Sequence, residues 1–166
     1  MSKSLHARTV VVTGAAQGIG AHLARGIAGA GANVVIADIL DGTAVATDIR
    51  NAGGQAIACR TDITDDASLA ALVQSAEEAF DAIGVLVNNA AMFGTVPVAP
   101  LTELDNDDWD SMLRVNVRGT WQCVKAVLPG MIRHGGGSII NITTNRIYRG
   151  FSQLLHYDAS KGAVAA

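Results

Sequence analysis

Four groups of residues in this 166-residue chain have types and spacings that could do chemistry. The first is Thr13-Gly14-Ala15-Ala16-Gln17-Gly18-Ile19-Gly20. It follows the run Val10-Val11-Val12 and leads into Ile19, Leu23 and Ile27 at helical spacing. The unit reads as strand, glycine turn and helix. Glycines allow positive φ and close backbone approach to a ligand, and a helix start offers unpaired N–H groups and a positive dipole end, which suit a pyrophosphate. A plain βα turn has the same outline. The second is Asp38, 18 residues after Gly20 at the end of the apolar run Asn33–Ala37. A carboxylate there can accept hydrogen bonds from the adenine-side ribose hydroxyls and repel a 2′-phosphate; a turn or cap carboxylate is the alternative. Ile39, Leu40, Ala15, Ala16 and Gln17 supply no cation, so NAD is favoured over NADP. The third is Thr143-Thr144, delivered to the end of the strand pattern Ser138–Ile142. The fourth is Tyr157 and Lys161, whose spacing of four puts both on one helical face.

The elements that must position these groups alternate between strand and helix. Beyond the first unit, a helix is expected over about Gly18–Ala30, with Gly31 as C-cap. A short helix over Thr43–Asn51 and a strand over Ala56–Cys59 lead to Asp62. Thr64 reads as the N-cap of a third helix, with Asp65 and Asp66 in its first turn and Leu69, Leu72, Val73, Ala76, Phe80 and Ile83 as its buried stripe. Val85-Leu86-Val87 reads as the next strand, ending in Asn88-Asn89-Ala90-Ala91, where small residues let a flat ring approach and the amides can pin loops or hold a ligand. The loop Met92–Asp107, with Pro97 and Pro100, has a length usually tied to function. A single long helix is expected over about Asp108–His134. Trp109, Met112, Leu113, Val117, Thr120, Val124, Val127, Leu128 and Met131 outline its inner face, and Pro129-Gly130 is expected to kink or loosen its end. Asn116 falls on or beside that face, either locally satisfied or functional. Ligands of open parallel sheets bind at the carboxyl ends of the strands, so Gly14, Asp38, Asp62, Asn89 and Thr144 are expected on one rim.

Composition sets the class. Hydrophobic residues make up 49% of the chain, enough for one globular domain spanning 1–166. A net charge of -3 gives no basic footprint for nucleic acid. No apolar run reaches the length of a membrane span, and Met1–His6 lacks a signal-peptide core. Cys59 and Cys123 lie in apolar strand and helix patterns and read as core thiols of a reducing compartment, which makes the cytoplasm the expected location. No His or Cys cluster has metal-ligand spacing, and His22 and His134 read as surface helix residues.

With these residues in hand, the chain resembles the short-chain dehydrogenase/reductase family along nearly its whole length. Thr13–Gly20 resembles the family's Thr-Gly-x-x-x-Gly-x-Gly turn, Asp62-Ile63 its adenine-contacting pair, and Asn88–Ala91 its Asn-Asn-Ala-Gly segment, with Ala91 in place of the last Gly. Asn116 resembles the helix-four asparagine of the catalytic tetrad, and Tyr157-Asp158-Ala159-Ser160-Lys161 the Tyr-x-x-x-Lys signature. Thr144, 13 residues before Tyr157, stands where the family usually has a serine, with Thr143 as the neighbouring alternative.

The resemblance implies an α/β, Rossmann-like doubly wound parallel sheet of strand order 3-2-1-4-5. It also implies that two further strands, a Pro-Gly loop and a substrate lid are missing from a C-terminally incomplete chain, leaving the last strand as an apolar edge. Gly14, Gln17, Gly18, Ile19, Gly20, Asp38, Asp62, Ile63, Asn89, Ala90, Ala91, Tyr157 and Lys161 would hold NAD, and Asn116, Thr144, Tyr157 and Lys161 would be catalytic. The implied reaction is hydride transfer between NAD(H) and a secondary alcohol or ketone, by a homo-oligomer, dimer or tetramer, in the full-length form. Tyr157 would be the general base in oxidation, its ordinary value near 10 lowered by Lys161 and the nicotinamide charge. Lys161 would hold the nicotinamide ribose, Thr144 the substrate oxygen, and Asn116 a proton-relaying water. The alternative is a truncated NAD-binding module without turnover. Arg146, Tyr148, Arg149, Phe151 and His156 give the second long loop a mixed cationic and aromatic surface, either solvated or suited to an anionic or cyclic substrate.

Overall fold

The computed structural model describes residues 5–94, 96 and 98–166. Pro97 and the first four residues, which entered the loop and signal-peptide readings, lie outside them. Five strands, β1 (Thr9–Thr13), β2 (Asn33–Asp38), β3 (Gln55–Arg60), β4 (Ile83–Asn88) and β5 (Ser138–Asn141), form one sheet of order β3-β2-β1-β4-β5. All pairings are parallel, with Val10 opposite Val34 and Val85, and Val87 opposite Ile140. Among the described residues six helices accompany them: α1 (Gly18–Gly29), α2 (Thr43–Asn51), α3 (Asp66–Phe80), α4 (Asn106–Leu113), α5 (Thr120–Arg133) and α6 (Leu155–Ala165).

The period of two along β1 explains the layers. Val10 and Val12 pack with Ala21, Ala24 and Ala28 of α1 and Val45 and Ile49 of α2. Val11 points the other way, into Leu69, Leu72 and Ala76 of α3 and Cys123, Val127 and Met131 of α5. A strand covered on both faces has no polar side, hence its continuous valine run. Each such side chain, fully buried, stabilises the fold by about 1.5–3 kcal/mol. β5 differs: all four residues are exposed, Ile139 and Ile140 included, at the edge of the sheet.

Several boundaries differ from the pattern reading. The N-cap of α3 is Asp65, whose carboxylate accepts from the Ala67 amide, and not Thr64. Thr64 instead donates through both amide and hydroxyl to Asp62. Ile83 opens β4 and is no part of the α3 stripe, because Asp81, at φ +66°, turns the chain out of the helix. The expected single long helix is two helices joined by a π-helical stretch, Arg114–Gly119. Wider turns there shift the downstream register, so the buried face of α5 runs through Gln122, Cys123, Val127, Gly130 and Met131 while Leu128 is exposed. Pro129 sits inside α5 without ending it. The long loop after β4 holds a 3-10 turn, Leu101–Glu103, and pairs with the later loop through a bridge between Pro100 and Gln153.

Candidate functional site

The carboxyl ends of the strands build the first half of the site, largely with backbone. Gly14, at φ +64°, follows β1 and donates its amide to the Ala37 carbonyl at 2.7 Å. A Cβ there would stand 2.7 Å from Ala90 Cα, so the turn and the segment after β4 touch only because Gly14 lacks one. A Cβ on Gly20 would collide with the Gly14 carbonyl. Gly18, at φ +58°, has open space over it. Asn89 pins this junction: its side-chain amide donates to the Thr13 and Gly14 carbonyls at 2.9 Å, and the Asn89 and Ala90 amides donate to the Thr13 hydroxyl at 3.1 Å.

Asp38 ends β2, buried. Its carboxylate accepts from the Ala16 amide and the Leu40 amide, both at 2.9 Å. It is thus a turn carboxylate, and it also lines a cleft of about 720 Å³ together with Gly14, Gln17, Asp62, Ile63, Asn89, Ala90 and Ala91. Ile19 is exposed and is not part of that lining, while Ile63 is buried against Gly119. A groove of similar size, about 740 Å³, between α3 and α5 holds none of the candidate catalytic or cofactor-binding residues. Arg60 is a residue that local sequence reasoning missed. It registers against Asp38 across the β2–β3 pairing and donates to the Ile39 carbonyl at 3.2 Å. Only the strand register reveals a cation there, 22 positions along the chain from Asp38.

The second half is made by side chains around α6. Tyr157 is buried with Met112, Val96 and Leu154, and its ring lies 4.7 Å from that of Phe93, which itself lines the cleft. The Tyr157 ring thus packs against a residue of the cleft's wall. Burial pushes the phenol above its ordinary value of 10.0, Asp158 adds to this, and Arg146 opposes it. That is opposite to the downward direction expected from Lys161. The Lys161 ammonium instead faces the Ile142 carbonyl at 2.6 Å, and burial holds it below its ordinary 10.5.

Thr143 and Thr144 separate clearly. The Thr143 hydroxyl donates to the Lys161 carbonyl at 3.3 Å. The Thr144 hydroxyl accepts from the Arg146 amide at 3.3 Å, capping the 3-10 turn Asn145–Tyr148, and among the described residues its own proton has no acceptor. Asn116, wholly buried in the π-helical stretch, is locally satisfied. Its oxygen accepts from the Met92 amide at 2.8 Å, and its amide donates to the Met92 carbonyl at 3.2 Å and the Ser160 hydroxyl at 3.0 Å. Even its carbonyl accepts, from the Thr120 hydroxyl at 2.7 Å. Among the described residues, no group of three or more His, Cys, Asp and Glu could hold a metal, and no helix is long and apolar enough to cross a membrane.

The model of the short chain dehydrogenase family matches residues 8–166, so the chain belongs to that family of oxidoreductases and has its nucleotide-binding fold. It is 40% identical over 166 residues to a cis-4-hydroxycyclohexanecarboxylate dehydrogenase of Sinomonas cyclohexanicum, covering 99% of this chain and 66% of that protein. It is 38% identical to a galactitol 2-dehydrogenase of Agrobacterium fabrum (96% of this chain, 61% of that one) and 38% identical to a sorbitol dehydrogenase of Cereibacter sphaeroides, with the same coverage. The chain thus spans under two thirds of the length of these curated relatives.

Proposed function

We propose that the chain carries the nucleotide-binding and acid–base parts of an NAD-dependent dehydrogenase acting on a secondary alcohol or its ketone. The observation that carries this reading is Phe93, which lines the cleft and lies against Tyr157, so that one wall separates the strand-end cleft from the phenol. The relatives' names, all dehydrogenases, support the same class.

The residues present fit a nicotinamide dinucleotide. The glycine turn leaves open space above Gly18 at the start of α1, where a pyrophosphate would meet free N–H groups. Asp38 has both oxygens anchored by backbone amides and lone pairs left to accept ribose hydroxyls. Its negative charge opposes a 2′-phosphate, even with Arg60 at its side. Asp62 and Ile63 would border the adenine, and Asn89, Ala90 and Ala91 the nicotinamide ribose. When bound, the dinucleotide supplies the redox partner that takes or gives a hydride at the substrate carbon.

The chain's own residues handle the proton. As the phenolate, Tyr157 takes the hydroxyl proton in oxidation, and as the phenol it returns it in reduction; Lys161 and the positive nicotinamide ring would have to draw the phenol down from its raised value. Thr144, whose hydroxyl proton has no acceptor among the described residues, holds the substrate oxygen. Lys161, with one donor engaged on Ile142, has two left for ribose hydroxyls. Asn116 acts here by holding Met92 and Ser160 in place, since its own polar groups are in use.

Calorimetry of the chain with NAD and NADP, alongside NAD reduction with a panel of cyclic and acyclic secondary alcohols, tests the reading. NAD binding with turnover supports it. Binding without turnover favours the module alternative, and absence of binding removes both.

A further inference from the structure

Arg146 is heavily engaged beside the site. Its Nε donates to Asp158 Oδ1 at 2.7 Å and its Nη2 to Asp158 Oδ2 at 3.1 Å, a two-point fork. Nη2 also donates to the Gln153 carbonyl at 2.8 Å, and the guanidinium lies 4.1 Å from the centre of the Phe151 ring. The pair is no freely solvated surface contact: the two side chains are 21% and 15% exposed. Exposed pairs contribute little, but a planar fork on a carboxylate gives geometric specificity. Nor is Arg146 a loose cation for an anionic substrate, because Asp158 already neutralises it.

Its ends matter more than its strength. The Arg146 amide donates to the Thr144 hydroxyl, and Asp158 follows Tyr157 directly on α6. We propose that the Arg146–Asp158 pair is the positioning device of the site: it ties the turn bearing Thr144 to the first turn of the helix bearing Tyr157, fixing hydroxyl and phenol relative to each other. Gln153 extends the tie, since it also bridges Pro100 in the loop after β4. The inference rests on the assignment of Thr144 and Tyr157 made above.

The same pair sets opposing charges beside the phenol. Asp158 faces Tyr157 from its own helix and Arg146 from the preceding turn. Lys161 and His156 lie on α6 as well. The remaining packing comes from Met112 of α4 and from Phe93 and Val96 of the loop, all uncharged. A merely structural bridge would give the same result whichever half is removed; this one would not.

The test uses the full chain in a Tyr148→Phe background, which leaves Tyr157 as the single tyrosine. Its phenolate absorbance is followed against pH in Arg146→Gln and Asp158→Asn. The expected result is a phenol titrating higher in the first and lower in the second. In both, kcat falls at least about tenfold from lost alignment while NAD affinity is unchanged. Arg146→Lys, keeping charge without the fork, should titrate near the parent and still lose kcat. Should a single variant fail to fold, the Arg146→Met/Asp158→Leu double variant, with no charge left unpaired, should lose kcat equally. Parent-like kcat, or phenol shifts in the same direction for both single variants, overturns the proposal. A parent without turnover, with opposite phenol shifts intact, would discount the dehydrogenase assignment and leave the tie between pair and phenol standing.

Discussion

The two halves of the rim are held by different means. Around Gly14, Asp38 and Asn89 the ties run to backbone groups: amides on the Asp38 carboxylate, carbonyls under the Asn89 amide, a glycine against Ala90. Around Thr144, Tyr157 and Asn116, ties from one side chain to another, such as Arg146 to Asp158 and Asn116 to Ser160, join the backbone ones. The first half rests on strands buried on both faces; the second leans on β5, which is exposed along its length. A dinucleotide-holding wall needs a fixed backbone, whereas a reacting centre must hold a few atoms at set distances, and side-chain ties can do that without a thick core.

The contrast can be broken most severely at the phenol. Tyr157→Phe removes the only group assigned to the proton, so turnover should fall by about 10²–10⁴-fold with NAD affinity kept, as read by initial rates and calorimetry together. Loss of binding as well would mean that the two halves are not separable. Next is the backbone wall. Gly20→Ala forces a methyl against the Gly14 carbonyl, and should lower unfolding free energy by about 1–3 kcal/mol in urea titration and weaken NAD. An unchanged midpoint would show that the wall yields. Asp38→Asn keeps an acceptor but removes the charge. NAD should weaken by about ten- to a hundredfold, in line with about 1.5–3 kcal/mol for a charge-assisted bond, while NADP loses less; equal losses for both would exclude Asp38 from the ribose end.

The smallest effect is in pH. Lys161 is held below 10.5 in the folded chain, so between that lowered value and 10.5 the unfolded chain binds more protons and stability rises with pH. Tyr157 has the opposite sign. Its contribution is complete below 10.0 and is lost as pH rises through its raised folded value. Lys161→Met should flatten the first limb and leave the second, as measured by denaturant midpoints across alkaline pH.

The same division decides what the sequence discloses. Val10–Val12, Asn33–Asp38 and the strand-end residues were legible because a doubly covered parallel strand leaves a period and a glycine turn leaves a spacing. Arg60 was not, because its partner is set by register across strands. Asn116 could be placed on its helix, but not its satisfaction by Met92 and Ser160, which needs the fold of two loops. In sequence alone Arg146 belongs to a cationic and aromatic loop, since nothing in a sequence shows that a charge is already paired. The upward direction of the Tyr157 phenol follows from burial behind Phe93, a contact 64 positions away.

The π-helical stretch between α4 and α5 has a consequence for length changes in this chain. Removing one residue from Arg114–Gly119 would let the helix close into regular turns and rotate everything beyond it by about 100°. Cys123, Val127 and Met131 would swing off the sheet, or Asn116 would leave Met92 and Ser160; no single deletion satisfies both. The extra residue therefore acts as a phase adjuster, and substitutions there should be far better tolerated than deletions.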